Sequence, residues 1–346
     1  ERRQTLPALA NVLIRANSNG LQLTATDLEI ELQAVVAVEV ERPGETTVTA
    51  RKLLDICRNL PTGATIAVEL DGERVIVRSG RSRFTLMTLP AAEFPVIDDV
   101  QPQVAFRLAQ GELKRAIDRI GFAMAQQDVR YYLNGLLFEL AGDRLRTVAT
   151  DGHRLSMCEI MTELPDGNGQ QVIVPRKGVI ELARLLDPEA EEPVNIRVGA
   201  NHIQVDIPGL RFTSKLIDGR FPDYTRVVPE GGAYEMRADR ETLRQALART
   251  SILSNEKYKG VRLALNGSGL SVRTHNPDQE EAVEEIEVEY AGEPLEIGFN
   301  VVYLLDILAS IAGENVRAQF NDSNSSCLIT DVTSDECRHV VMPMRL

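Results

Sequence analysis

Apolar and polar positions alternate in three short segments that read alike: Leu21 to Asp27 (LQLTATD), Leu145 to Asp151 (LRTVATD) and Leu270 to Asn276 (LSVRTHN). Strict alternation marks a strand with one buried face. Each segment follows a turn signal, at Ser18-Asn19-Gly20, Ala141-Gly142-Asp143 and Asn266-Gly267-Ser268-Gly269. Each is therefore predicted to be the second strand of a hairpin. A second pattern keeps the same spacing. Val48 to Leu60 (VTARKLLDICRNL), Val174 to Leu186 (VPRKGVIELARLL) and Phe299 to Ile311 (FNVVYLLDILASI) each read as a strand end running into a helix. Apolar residues recur there at three- and four-residue intervals, which predicts one buried face per helix. A third landmark occurs twice. Arg83-Phe84-Thr85 precedes Phe94-Pro95, and Arg211-Phe212-Thr213 precedes Phe221-Pro222.

Another helical pattern precedes the hairpin in the later two copies, at Gly111 to Met124 and Asp239 to Ser251. The first copy reaches its hairpin by Leu9 without it. Three periods of about 125 residues predict roughly 20 to 30 further residues upstream of Glu1. The fold class predicted is α+β: three tandem similar domains, each an antiparallel sheet with two helices. Boundaries fall after the acidic Ile97-Asp98-Asp99 and at Gly231-Gly232, giving residues 1–102, 103–232 and 233–346. A repeat of this size is a domain rather than a solenoid unit. Three alike in series form an arc that self-association can close into a symmetric ring.

Composition changes this picture little. The 346 residues are 43% hydrophobic and 26% charged, as in ordinary globular proteins. No apolar run is long enough to span a membrane, and no secretory leader opens the sequence. Cys57, Cys158, Cys327 and Cys337 form no C-x-x-C pair, which excludes zinc-ribbon and thioredoxin-like readings. They read as packing thiols in a reducing compartment, with Cys327 and Cys337 close enough in sequence to meet across strands. A net charge of −13 argues against nucleic acid if taken as a sum. Phosphate binding depends instead on where the cations lie.

Cations gather on the predicted helices. Arg51, Lys52 and Arg58 lie on the first, and Arg176, Lys177 and Arg184 on its counterpart. Lys114, Arg115 and Arg119, then Arg240, Arg244 and Arg249, lie on the second type. Acidic runs fall elsewhere, at Glu189 to Glu192 and Glu280 to Glu289. Any one helix, taken alone, reads first as an ordinary solvated surface. The repetition points to a shared basic face, although Asn300 to Ile311 carries no basic residue and includes Asp306. Such a face would contact phosphates without reading sequence.

Catalytic signals are sparse. His153 sits beside Asp151 and Arg154, but no histidine cluster with metal-ligand spacing, nucleophile elbow or phosphate-binding glycine loop occurs. No cofactor is expected. The C-terminal Met342-Pro343-Met344-Arg345-Leu346 is apolar for a tail. It reads either as core residues of a last strand or as part of an adaptable binding surface.

Four motifs are shared with a known family: Asp128 to Gly135 (DVRYYLNG), Ala149 to Leu155 (ATDGHRL), Asp218 to Tyr224 (DGRFPDY) and Val341 to Leu346 (VMPMRL). The chain resembles the bacterial β sliding clamps, the processivity subunits of DNA polymerase III. The resemblance implies a DNA-clamp fold and a non-catalytic, cytoplasmic protein. It implies a head-to-tail homodimer whose ring encircles double-stranded DNA without sequence preference. Partners would be the polymerase catalytic subunit, the clamp loader and other proteins with clamp-binding motifs, with no membrane role. The implied partner pocket comprises Arg130, Tyr132, Leu133, Thr150, Gly152, His153, Arg154, Leu155, Pro222, Arg226, Val227, Asn300, Tyr303, Val340, Met342, Pro343, Met344 and Arg345. The implied DNA contacts are Arg3, Gln127, Tyr131 and Tyr132, to which charge adds Arg51, Lys52, Arg176 and Lys177. The implied dimer contact sets Phe84 against Ile252 and Leu253. Rival readings are an enzyme centred on His153 and a monomeric adaptor with three interaction domains.

Overall fold

The computed structural model describes residues 6–164, 169–229 and 231–345. The first repeat runs β1 (Asn11–Asn17), β2 (Gly20–Thr26), β3 (Ile30–Val36), β4 (Gly44–Thr49), α1 (Ala50–Asn59), β5 (Ala67–Asp71), β6 (Arg74–Ser79) and β7 (Ser82–Leu89). The second begins with β8 (Val104–Ala109) and α2 (Gln110–Ile120). It continues through β9 (Gly135–Ala141), β10 (Arg144–Thr150), β11 (Arg154–Met161), β12 (Gln170–Pro175) and α3 (Arg176–Leu185). It ends with β13 (Pro193–Val198), β14 (His202–Ile207) and β15 (Leu210–Lys215). The third has β16 (Tyr234–Asp239), α4 (Arg240–Thr250), β17 (Gly260–Asn266), β18 (Gly269–His275), β19 (Glu281–Glu287) and β20 (Glu289–Tyr290). It closes with β21 (Leu295–Asn300), α5 (Val301–Ser310), β22 (Asn315–Phe320), β23 (Cys327–Asp331) and β24 (Cys337–Val341).

The three predicted hairpins form with two-residue loops, closed by Asn17 opposite Gly20, Ala141 opposite Arg144 and Asn266 opposite Gly269. Gly142 and Gly267 supply the positive φ that such loops demand. The strand-to-helix passages also fall where periodicity placed them, with α1, α3 and α5 beginning at Ala50, Arg176 and Val301.

The chain divides into two compact units: residues through Leu108 with Glu192–Leu216, and Ala109–Glu191 with Ile217 onward. The first contains the sheet β5-β6-β7-β4-β1-β2-β3-β15-β14-β13-β8. The second contains the sheets β12-β9-β10-β11-β24-β23-β22-β16-β20 and β19-β18-β17-β21. The division departs from the repeat boundaries because β15 of the second repeat pairs with β3 of the first. Ile30 lies opposite Ser214 and Phe212 opposite Leu32. The second unit repeats this joint with β11 and β24, where Arg154 lies opposite Val341 and Ser156 opposite His339. Ile30 and Arg154 hold the same place in their repeats, so the two joints share one register.

Two expectations need correction. The helix α1 has no fully buried residue. Leu53 and Ile56 only half-bury against Val12, Val48 and Val75. By contrast, Val179 and Leu182 of α3, and Leu304 and Ile307 of α5, are buried. Those helices pack against α2 and α4; among the described residues no second helix packs on α1. The cysteine pairing also differs. Cys327 lies opposite Val341 on β23 and β24, whereas Cys158 lies opposite Cys337 on β11 and β24. The disulfide is therefore Cys158–Cys337. Cys57 is exposed rather than packed, and Cys327 is the buried thiol.

Candidate functional site

Thr150 and Asp151 end β10 and fold the chain back into β11 by bonding their own backbone, a habit of short polar side chains at turns. The Gly152 N–H donates to Thr150 Oγ1 at 3.1 Å, and that hydroxyl donates to the Arg154 carbonyl at 2.6 Å. The His153 and Arg154 N–H groups donate to Asp151 Oδ1 at 2.9 and 3.0 Å. Gly152 takes φ 87°, which suits a residue without Cβ. A Cβ there would also stand 2.8 Å from the Arg130 guanidinium. Arg130 is held by Asp128, with Nε and Nη2 donating at 3.0 and 2.8 Å, and donates to the Asp151 carbonyl at 3.1 Å. These bonds from Arg130 hold the Asp128 carboxyl down at about 2.

Around this turn lies a cavity of about 200 Å³. Its wall is built from Arg130, Tyr132, Leu133, Thr150, Gly152, Arg154, Leu155, Pro222, Val227, Val340 and Met342, all expected from the sequence. Asp223 and Tyr224 complete it and were missed. Tyr224 is fixed from behind: Arg146 donates to its hydroxyl at 2.8 Å, and the hydroxyl donates to Glu139. Burial first, then the Glu139 carboxylate, pushes this phenol up to about 12. The aromatic ring thus stays neutral and anchored, an apolar surface backed by ions.

Arg154 supports the opposite wall. It donates to Asp306 Oδ2 at 2.6 Å, Asp151 Oδ2 at 3.2 Å and the Phe122 carbonyl at 2.9 Å. Its guanidinium carbon lies 5.1 and 4.5 Å from the Phe122 and Tyr303 ring centroids. It is a bracket between the second and third repeats more than an exposed cation. The Met342 N–H donates to the His153 carbonyl at 2.9 Å, tying the tail to the same turn.

The other expected pocket residues are placed differently. His153 stacks on Tyr303 at 6.5 Å beside the cavity. Arg226 pairs with Asp223 at 2.8 Å. Asn300 caps α5 by accepting from the Val302 N–H at 2.9 Å. Met344 and Arg345 line a separate cleft with Asn255, Tyr258, Arg262 and Arg273. Pro343 lies between Met342 and Met344 and does not line the cavity.

Of the expected DNA contacts, Arg3 lies outside the described residues. Gln127 and Tyr131 are exposed on the loop before β9, Gln127 with φ 55°. Arg51, Lys52 and Lys177 are also exposed. Arg176 instead points inward and donates to the Met124 carbonyl at 3.2 Å. The helix cations are more internally paired than the sequence suggests. Arg119 pairs with Glu336, Arg244 with Glu241, and Arg249 with Glu284. Of the expected dimer residues, Ile252 is 77% exposed, while Leu253 and Phe84 are half-buried. Among the described residues no cluster of histidine, cysteine and carboxylate side chains is placed to hold a metal ion, and no helix is long and apolar enough to cross a membrane.

Comparison with known proteins shows the family and the fold. Models of the DNA polymerase III beta subunit match in three parts: the N-terminal domain over residues 1–98, the central domain over 107–223 and the C-terminal domain over 225–345. The beta sliding clamp of Pseudomonas aeruginosa is 54% identical, covering all of this chain and 94% of that protein. That of Escherichia coli K12 is also 54% identical, over 99% of this chain and 94% of its own length. A crystal structure of the P. aeruginosa sliding clamp superposes with a TM-score of 0.97 at 53% identity, covering 99% of this chain and 94% of that one. Another, bound to griselimycin, gives 0.96 at 54% identity, covering all of this chain and 94% of that one. Matched over most of its length by the three domain models, the chain belongs to the DNA polymerase III beta subunit family, the sliding clamps.

Proposed function

We propose that two copies close head to tail around duplex DNA in the cytoplasm. In this reading each copy holds polymerase, loader and other partners by short peptides seated in the Thr150–Val340 cavity. Sliding clamps are non-catalytic processivity subunits. The domains would run 1–102, 103–232 and 233–346.

The observation that carries it is the shared register of the two joints. In both, the strand that follows the hairpin of one repeat pairs with the last strand of the next. The same rule leaves one pair unfilled among the described residues. β19 has no ladder partner on its edge away from β18. β7 meets β4 only at Leu89 and Thr88, leaving Ser82 to Met87 open on that side. Continuing the register sets Glu281 opposite Thr85 of a second copy, and Ala282 opposite its Phe84. Charge favours the match. The β19 side exposes Glu280, Glu281, Glu285 and Glu287, and the β7 side exposes Arg81 and Arg83. Ile252, exposed beside β19, would gain an apolar partner in Phe84. Pairing would also consume two open edges.

Within the ring, Arg51, Lys52, Lys177, Gln127, Tyr131 and Tyr132 would contact phosphates, with Arg176 bracing the loop behind them. For the pocket, Leu133, Leu155, Val340 and Met342 supply an apolar anchor site, and Arg130 a cation at its rim.

Sedimentation tests closure. A mass of twice the 38.3 kDa protomer is expected at micromolar concentration, falling to one protomer for Ile252→Asp. A protomer mass for the unaltered chain would favour the monomeric adaptor. Removing Met342 to Leu346 is expected to abolish polymerase stimulation while sparing the dimer; unchanged stimulation would remove the pocket assignment.

A further inference from the structure

We propose that Cys158 and Cys337 form a reversible redox clasp across the joint between β11 and β24. The two strands come from different repeats, and Cys158 is the Cα partner of Cys337 in their ladder. The disulfide joins positions separated by 179 residues. It sits near the end of the joint: one further backbone bond, from the Glu159 N–H to the Glu336 carbonyl at 2.9 Å, precedes the loop before β24. The sulfurs are buried, with Cys158 3% and Cys337 9% exposed, so exchange requires only this ladder end to open. A cation waits there. Arg119 Nη1 lies 3.9 Å from Cys337 Sγ while pairing with Glu336 at 3.0 Å. A guanidinium beside a sulfur favours the thiolate, the species that attacks and leaves in thiol–disulfide exchange. The remaining thiol of this unit does not compete: Cys327 faces Val341, and burial pushes its thiol up.

The chemistry balances with a low-molecular-weight disulfide as oxidant. One cysteine thiolate attacks it, forms a mixed disulfide and expels one thiol. The second cysteine then attacks the protein-bound sulfur, closes the clasp and expels the other thiol. Two protons and two electrons leave the protein in all. A dithiol runs the steps backward. Closed, the clasp ties both strands against separation, an effect that grows with the enclosed length. Leu155 lies opposite Val340 in the same ladder, and both line the partner cavity. Resting on the pocket reading, the clasp also slows peptide release by stiffening that wall.

The test uses the full chain in oxidised and dithiothreitol-reduced forms. After incubation with oxidised glutathione, denaturing alkylation and mass measurement should find Cys57 and Cys327 reactive and Cys158 with Cys337 protected; reduction should expose all four. Amide exchange along β11 and β24 should accelerate on the order of tenfold on reduction, with Cys337→Ser matching the reduced form under both conditions. Alkylation of all four cysteines after oxidation, or identical exchange in the two forms, would overturn the clasp. If thiols and exchange respond as stated but release of a polymerase-derived peptide does not, the clasp stands and the pocket reading fails.

Discussion

Leu28 and Gly152 occupy the same place in two copies of one turn, at φ 75° and φ 87°. Their bonding is the same. The Leu28 N–H donates to Thr26 Oγ1 at 3.1 Å, and the Glu29 and Ile30 N–H groups donate to Asp27 Oδ1 at 3.0 and 2.9 Å. A leucine in the left-handed region is strained by its Cβ. Leu28 is also 37% exposed, so burial returns little. Leu28→Gly is therefore expected to stabilise the first compact unit by about 1 kcal/mol, seen as a higher urea midpoint. The reverse change should fail. Gly152→Leu drives a side chain into Arg130 and should cost both stability and peptide binding.

The Arg154 side chain bonds to three separate residues, Asp151, Asp306 and Phe122. Arg154→Ala would leave Asp306 without the 2.6 Å partner and the Phe122 carbonyl without its donor. A loss of about 1–3 kcal/mol is expected, measured by denaturant unfolding, together with loss of peptide affinity. A change of less than about 0.5 kcal/mol, the range of an ordinary surface position, would show that Arg154 is not the bracket described.

His339 gives the β11–β24 joint a pH dependence. Its ring is 1% exposed and accepts or donates one bond, with Ser156 Oγ at 2.9 Å. Burial, then the nearby Arg119, lowers its pKa from 6.5 to about 3. The unfolded chain thus binds a proton that the folded chain refuses. Stability from this residue is full above pH 6.5 and is lost as pH falls toward 3, at up to about 1.4 kcal/mol per unit. His339→Gln should flatten that part of the stability–pH curve; an unchanged curve would mean the histidine does not titrate in this way.

The sequence made the local architecture readable because its signals are local. Gly20, Gly142 and Gly267 mark the hairpins, and the three strand-to-helix passages carry their own periodicity. What escaped depends on distant partners. The Cys158–Cys337 pair follows from the register of strands almost 180 residues apart, and Cys327 was the nearer but wrong candidate. The helix cations looked available because their acids, such as Glu336 for Arg119 and Glu284 for Arg249, lie far along the chain. Most of the cavity's lining was legible through shared motifs. Tyr224 was passed over as part of a motif, since its value lies in the Arg146 and Glu139 bonds behind it.

Encirclement is tested most directly by topology. The protein is loaded onto a nicked DNA circle, and bound protein is measured by gel filtration before and after a single restriction cut. Retention on the circle and release on cutting are expected, because a closed ring slides off a free end. Equal retention on the linear product would contradict encirclement and point to ordinary surface binding.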